Sequence, residues 1–191
     1  MRDANITDRG IINIAMVEDD KTVREGLQML LGGSQGFSCI GSYSNAEDAI
    51  SEIPERKPDV VLMDINLPGM NGIDCISTLK EREKKMLFIM LTVFEDTEAI
   101  FTSLAAGASG YLLKNTSPAK LIESIKDVVH GGSPMSSEIA RKVVDSFQQA
   151  PADKSQDLYG LTKREEEVLS FLAKGYLYKE IAVQMLSLIH I

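Results

Sequence analysis

A chain of 191 residues with 44% hydrophobic and 25% charged side chains has the make-up of a globular protein of one or two domains, not of a disordered or membrane-spanning one. Its 28 acidic against 20 basic residues, a net charge of -8, exclude retention on nucleic acid by bulk charge, so any DNA reading must come from one local element. No run approaches the roughly 18 apolar residues of a spanning helix, and the opening MRDANITDRG has no signal-peptide core, so the sequence predicts a cytoplasmic protein with no membrane partner. Cys39 and Cys75 lack metal-type spacing and are expected to be reduced.

From Ile11 onward, short β-branched runs alternate with amphipathic stretches, the pattern of a parallel sheet with helices on both faces. Five strands are expected, at Ile11 to Val17, Phe37 to Tyr43, Asp59 to Met63, Met86 to Thr92 and Gly110 to Leu113. Between the first two, Val23, Leu27, Leu30 and Leu31 recur at helical spacing. Ser44 with Glu47 reads as a capping box ahead of Ala49, Ile50 and Ile53. Further helices are expected at Gly72 to Glu83, Glu95 to Ala106 and Pro118 to His130, the last capped by Ser117 and ended by Gly131. These elements make a first domain of residues 11–131. Residues 132–160 then read as a helix over Ser137 to Gln148 followed by a polar linker. Residues 161–191 open a second, helical unit, in which Thr162 caps, Glu165 completes a capping box, Val168, Leu169 and Leu172 form an apolar face, and Lys179 to Leu186 make a second helix. Two short helices cannot close a core, so this all-α unit is expected to be incomplete.

In an open parallel sheet, ligands lie outside the carboxyl ends of the strands. Here those ends are polar: Glu18-Asp19-Asp20 after the first strand, Asp64-Ile65-Asn66 after the third, Thr92 after the fourth and Lys114 after the fifth. Carboxylates gathered in a cleft repel one another unless a hard cation neutralises them, and Mg²⁺ suits the task with one or two carboxylates and a phosphate oxygen. With Mg²⁺ on Asp19 and Asp64, a carboxylate oxygen can attack a phosphoryl group, while Lys114 and Thr92 take two of its other oxygens. Taken singly, each acidic residue is ordinarily a turn residue or a cap, Thr92 a strand end and Lys114 a solvated charge. Their joint occurrence at four strand ends favours a site.

The segments VEDDKTVREGL, VVLMDINLPGMNGID, MLTVFED and GYLLKNTSPAKL match, in order and spacing, the receiver domain of bacterial response regulators, and the chain resembles the NarL/LuxR (FixJ) type. The resemblance implies a flavodoxin-like, doubly wound sheet and a cytoplasmic transcriptional regulator phosphorylated by a sensor histidine kinase, with promoter DNA as a partner of the full-length protein and a homodimer on phosphorylation. Carried over residue by residue, it makes Asp64 the phosphoacceptor, Glu18 and Asp19 the acidic pair that with Asp64 binds Mg²⁺, and Asn66 the residue whose backbone carbonyl completes the metal site. Thr92 and Lys114 become the phosphoryl-sensing pair and Tyr111 the aromatic switch. Asn115 departs from the pattern, since many receivers carry proline after the lysine.

LTKREEEVLSFLAKGYLYKEIAVQM resembles the opening of the LuxR-type helix-turn-helix, whose next helix would enter the major groove, so the DNA-binding residues themselves are not assigned. The ending Leu186-Ser187-Leu188-Ile189-His190-Ile191 departs from the family. It coincides with the translation of CTG TCT CTT ATA CAC ATC, the mosaic-end adapter of transposase-based libraries, and is expected not to be native protein; the encoding nucleotides decide this. Two other functions compete with transcriptional output. One is a receiver-only signalling adaptor acting through protein contacts. The other is a metal-dependent phosphatase, for which the DINLP motif lacks a second carboxylate two residues after Asp64.

Overall fold

A computed structural model describes residues 10–149 together with 168–169. Of the second helical unit, only Val168 and Leu169 fall among these, and both are helical. The capping box at Thr162 and Glu165, the helix over 179–186, the linker from Ala150 and the tail lie outside the described residues.

The first unit alternates strands β1 (Ile12–Val17), β2 (Phe37–Tyr43), β3 (Val60–Met63), β4 (Leu87–Thr92) and β5 (Gly110–Leu113) with helices α1 (Lys21–Gly32), α2 (Ala46–Arg56), α3 (Gly72–Arg82), α4 (Thr97–Ala106) and α5 (Pro118–Val129), and α6 (Ser137–Gln149) follows. The five strands pair in parallel in the order β2-β1-β3-β4-β5, so the chain reverses direction across the sheet between β1 and β3. Every residue of β3 and β5 is buried, as strands covered on both faces must be, and this is why VVLM and GYLL read as unbroken apolar runs. Ile14, Met16, Leu62, Ile89, Leu91 and Leu112 belong to one core cluster that Leu121, Ile125 and Val128 of α5 join from one side.

Each helix of the sheet opens on a side chain that accepts an orphan backbone N–H: Asp20 for α1, Asn45 for α2, Asn71 for α3, Asp96 for α4 and Ser117 for α5. At α2 the expected box of Ser44 and Glu47 is corrected by one residue. Asn45 accepts from Asp48 N at 2.8 Å and donates to the Asp48 carboxylate, because an amide carries both an acceptor oxygen and a donor nitrogen. Glu47 is thereby released to accept the backbone N–H of Met70 at 3.1 Å. Helix α4 starts at Thr97, two residues later than its apolar pattern suggests, since Asp96 caps it through Ala99 N.

Beyond α5, Met135 pairs in parallel with Tyr111 on the outer edge of β5. Tyr111 N donates to Pro134 O and Ser136 N to Tyr111 O, while Ser136 Oγ accepts from Leu113 N at 3.0 Å. Gly110 permits the approach, since a Cβ there would come within 2.9 Å of Pro134. The compact unit that contains the sheet extends to Lys142, within α6.

Candidate functional site

The sheet register sets the site. Glu18, the first residue past β1, is tied by its N–H to Tyr43 O, and Asp64, the first past β3, by its N–H to Val17 O, so both carboxylates emerge beside each other at the carboxyl edge. Lys114 follows β5, and its N–H bonds to Thr92 O. Its ammonium crosses the edge to reach Glu18 Oε2 at 2.7 Å and Asp64 Oδ2 at 2.9 Å. Glu18 and Asp64 are only 2% and 4% exposed, so the pair requires this cation or another.

The remaining lone pairs are largely engaged. Glu18 Oε1 accepts from Asp20 N at 3.1 Å, and Asp64 Oδ1 from Ile65 N at 2.8 Å. Burial pushes the Glu18 carboxyl above its ordinary range, opposed by the hydrogen bond and charge of Lys114. Burial acts on Lys114 in the opposite sense and would lower it, but the hydrogen bonds and charges of Glu18 and Asp64 outweigh this and hold the ammonium above its usual value. Lys114 is therefore charged throughout the neutral range.

The run Glu18-Asp19-Asp20 divides its labour. Asp20 caps α1 by accepting from Thr22 N and Val23 N, and these two bonds hold its carboxyl below the usual range. Asp19 is exposed, and its carboxylate lies with those of Glu18 and Asp64 in a cluster whose ligand atoms are all within 4.8 Å of one another. Three carboxylates against one ammonium leave two negative charges in a cleft made of oxygen donors, the complement of a hard divalent cation. Asn66 is exposed on the loop after Asp64, outside the ionic cluster.

Thr92 and Tyr111 do not join the ionic cluster either; they meet at the loop between β4 and α4. Thr92 Oγ1 accepts from Phe94 N at 3.4 Å, and the Tyr111 hydroxyl donates to Phe94 O at 3.1 Å. Both side chains are fully buried, and burial, aided by the charges of Asp96 and Asp64, raises the Tyr111 phenol well above its ordinary value.

Two residues that sequence reasoning passed over hold the backbone of the acidic edge. Gly72 opens α3 so close to β3 that any Cβ would overlap the Asp64 carbonyl oxygen. In sequence it reads only as a weak helix former. Arg24 Nη1 donates to the carbonyls of Glu18 at 2.6 Å and Asp19 at 3.0 Å, fixing the acidic turn. Its position one helical turn after Asp20 was the available signal.

The chain matches the family described as the response regulator receiver domain over residues 14–126. It is 32% identical over 175 residues to the DNA-binding transcriptional activator DevR/DosR of Mycobacterium tuberculosis, covering 92% of this chain and 80% of that one. It is 30% identical over 169 residues to the nitrate/nitrite response regulator protein NarL of Escherichia coli, covering 88% and 78%. Among solved structures, a LuxR-family two-component response regulator from an Aurantimonas species superposes with a TM-score of 0.70 at 28% identity, over 73% of this chain and 99% of the other. A five-stranded parallel sheet in this order, a lysine-bridged acidic pocket at its carboxyl edge and these relatives agree: the chain belongs to the two-component response regulators of the NarL/LuxR type.

Proposed function

We propose that Asp64 is the phosphoacceptor of this response regulator, that a sensor histidine kinase supplies the phosphoryl group, and that the full-length protein answers by regulating transcription at promoter DNA. The observation that carries this reading is the pairing of a buried Asp64 with Lys114 beside an exposed Asp19, at the strand ends where the fold gathers ligands. An Asp64 carboxylate oxygen forms a bond to phosphorus as the bond from phosphorus to the kinase histidine nitrogen breaks; the bonding pair stays on that nitrogen, and with the other ring nitrogen already protonated the imidazole leaves neutral, with an acyl phosphate on Asp64. Glu18, Asp19, Asp64 and the backbone carbonyl of Asn66 would hold Mg²⁺, which when bound would supply neutralisation of phosphoryl charge. Lys114 pairs with one of those oxygens and Thr92 Oγ1 with another. When Thr92 turns toward the phosphoryl group it gives up Phe94 N, and the Tyr111 ring and the exposed Val93 and Phe94 follow.

The chain is not an enzyme acting on a separate substrate; its chemistry is Mg²⁺-dependent self-phosphorylation and dephosphorylation. A receiver of residues 11–131, a connecting segment of 132–160 and a LuxR-type helix-turn-helix from residue 161 form its domains. Among the described residues no helix is long and apolar enough to cross a membrane, and a cytoplasmic location fits. Phosphorylation promotes a homodimer. A receiver-only adaptor is the alternative, and the transcriptional role of the relatives favours the first reading.

Labelling by a small phosphodonor in the presence of Mg²⁺ tests the assignment. The wild type should gain one phosphoryl group, lost on treatment with hydroxylamine, and Asp64→Asn should gain none. Full labelling of Asp64→Asn would overturn it.

A further inference from the structure

The loop that follows Thr92 is held at three backbone groups of Phe94 and Glu95 by side chains from three places in the chain. Thr92 Oγ1 takes Phe94 N, the Tyr111 hydroxyl takes Phe94 O, and Lys142 Nζ of α6 takes Glu95 O at 2.7 Å. Lys142 also reaches the Glu95 carboxylate at 3.1 Å. The first two are the groups expected to move with the phosphoryl state, whereas Lys142 stands on α6, after the last strand of the sheet and 47 residues from its partner. The chain is brought to that point by the segment Pro134 to Ser136 along β5, where Tyr111 itself is the pairing partner of Met135 and exchanges both of its backbone bonds with this segment. Tyr111 thus touches the loop through its hydroxyl and the path to α6 through its main chain.

We infer that Lys142 is a positioning residue that couples α6 to the phosphoryl state of the pocket, by clamping the Glu95 carbonyl in the arrangement in which Thr92 Oγ1 is bonded to Phe94 N. The inference rests on the reading of Asp64 as phosphoacceptor. Drawing Thr92 toward a phosphoryl oxygen frees Phe94 N, shifts the adjoining Glu95 carbonyl and removes the geometry Lys142 needs, so α6 loses its tie to the loop. Linkage makes the coupling reciprocal: a contact made only in the unphosphorylated arrangement opposes the phosphorylated one, and its removal must favour the phosphorylated one by the same factor. Both partners are more than a third exposed, so the factor is modest, about two- to fivefold.

The test uses the full chain with beryllofluoride, a phosphoryl mimic, in Mg²⁺, and compares wild type with Lys142→Met and Glu95→Gln. Without the mimic, Lys142→Met should speed amide exchange over residues 93–96 and at Ala140, whose N–H bonds to Ser136 O at the start of α6. With the mimic, wild type should show the same faster exchange at Ala140, and Lys142→Met should bind it two- to fivefold more tightly. Glu95→Gln keeps the carbonyl contact and should shift affinity less. Unchanged exchange and unchanged affinity in Lys142→Met would overturn the coupling, as would faster exchange over 93–96 in the bound wild type with none at Ala140. Should the wild type fail to bind the mimic, the Asp64 reading falls, and unaltered exchange over 93–96 in Lys142→Met alone would still reject the clamp.

Discussion

At Gly72 the absence of a side chain is a requirement of the site. The start of α3 lies against the Asp64 carbonyl, and Gly72 N donates to Ile65 O, so the residue that positions the carboxylate is held by a neighbour with no room for a methyl group. Gly72→Ala should force this backbone apart, destabilising the fold by about 2 kcal/mol or more and slowing phosphoryl transfer to Asp64; denaturant melts and labelling rates measure the two. Thr92→Ala should behave differently. It removes the bond to Phe94 N but no ligand of the ionic cluster, so labelling of Asp64 should remain near the wild-type level while the chemical-shift response over 95–106 is lost. That Glu18, Asp19, Asp64 and Lys114 meet at one edge was legible in the sequence because they stand at the ends of apolar strand runs. Gly72, Arg24 and Lys142 were not, since a glycine at a helix start and a basic residue on a helix face are ordinary locally. Their function exists only once Asp64 O, Glu18 O and Glu95 O have been brought to them from elsewhere in the chain.

Among the elements, β3 and β5 were the easiest to read because burial on both faces leaves no alternation to interpret. Helix starts were harder. Near α2, Ser44, Asn45, Glu47 and Asp48 present two overlapping capping boxes, and only the backbone decides between them: Asn45 is extended, with φ -152° and ψ 163°, and its amide meets Asp48 N. Asn45→Ala should therefore cost about 1 kcal/mol in a thermal or denaturant melt, and Ser44→Ala only a few tenths. For the segment between Gly131 and the helix at Ser137 the sequence suggests no strand pairing, yet Pro134 to Ser136 run along β5. Its polar and proline-containing sequence has no strand signature, because three residues laid against an edge satisfy their bonds without an apolar period. Cys75 of α3 is fully buried and burial pushes its thiol up to about 12, so it should resist alkylation at pH 8 in the native protein and react on unfolding. A native Cys75 that reacts as fast as a free thiol would contradict the packing of α3 on the sheet.

For the molecule as a whole, the acidic cleft links metal binding to stability. The carboxylates of Glu18, Asp19 and Asp64 exceed the single ammonium of Lys114, so a divalent ion that binds the folded cleft and not the unfolded chain should raise the melting temperature. At a hundredfold excess over its dissociation constant the gain is about 2.7 kcal/mol, and Asp19→Asn should reduce it at the same Mg²⁺ concentration. A melting temperature indifferent to Mg²⁺ would argue against a metal in this cleft. The two margins of the sheet carry a further consequence. On one side the main chain of β5 is already paired with Pro134 to Ser136, and on the other β2 is broken by a bulge at Ile40, whose carbonyl accepts from Arg56 Nη1 at 2.8 Å. An open parallel sheet with two smooth margins would be a template for strands from other copies emerging from the ribosome. With one margin occupied and the other kinked and partly taken up by a guanidinium, that route to aggregation is blunted, and strand addition at either margin is disfavoured as a way of gripping this domain.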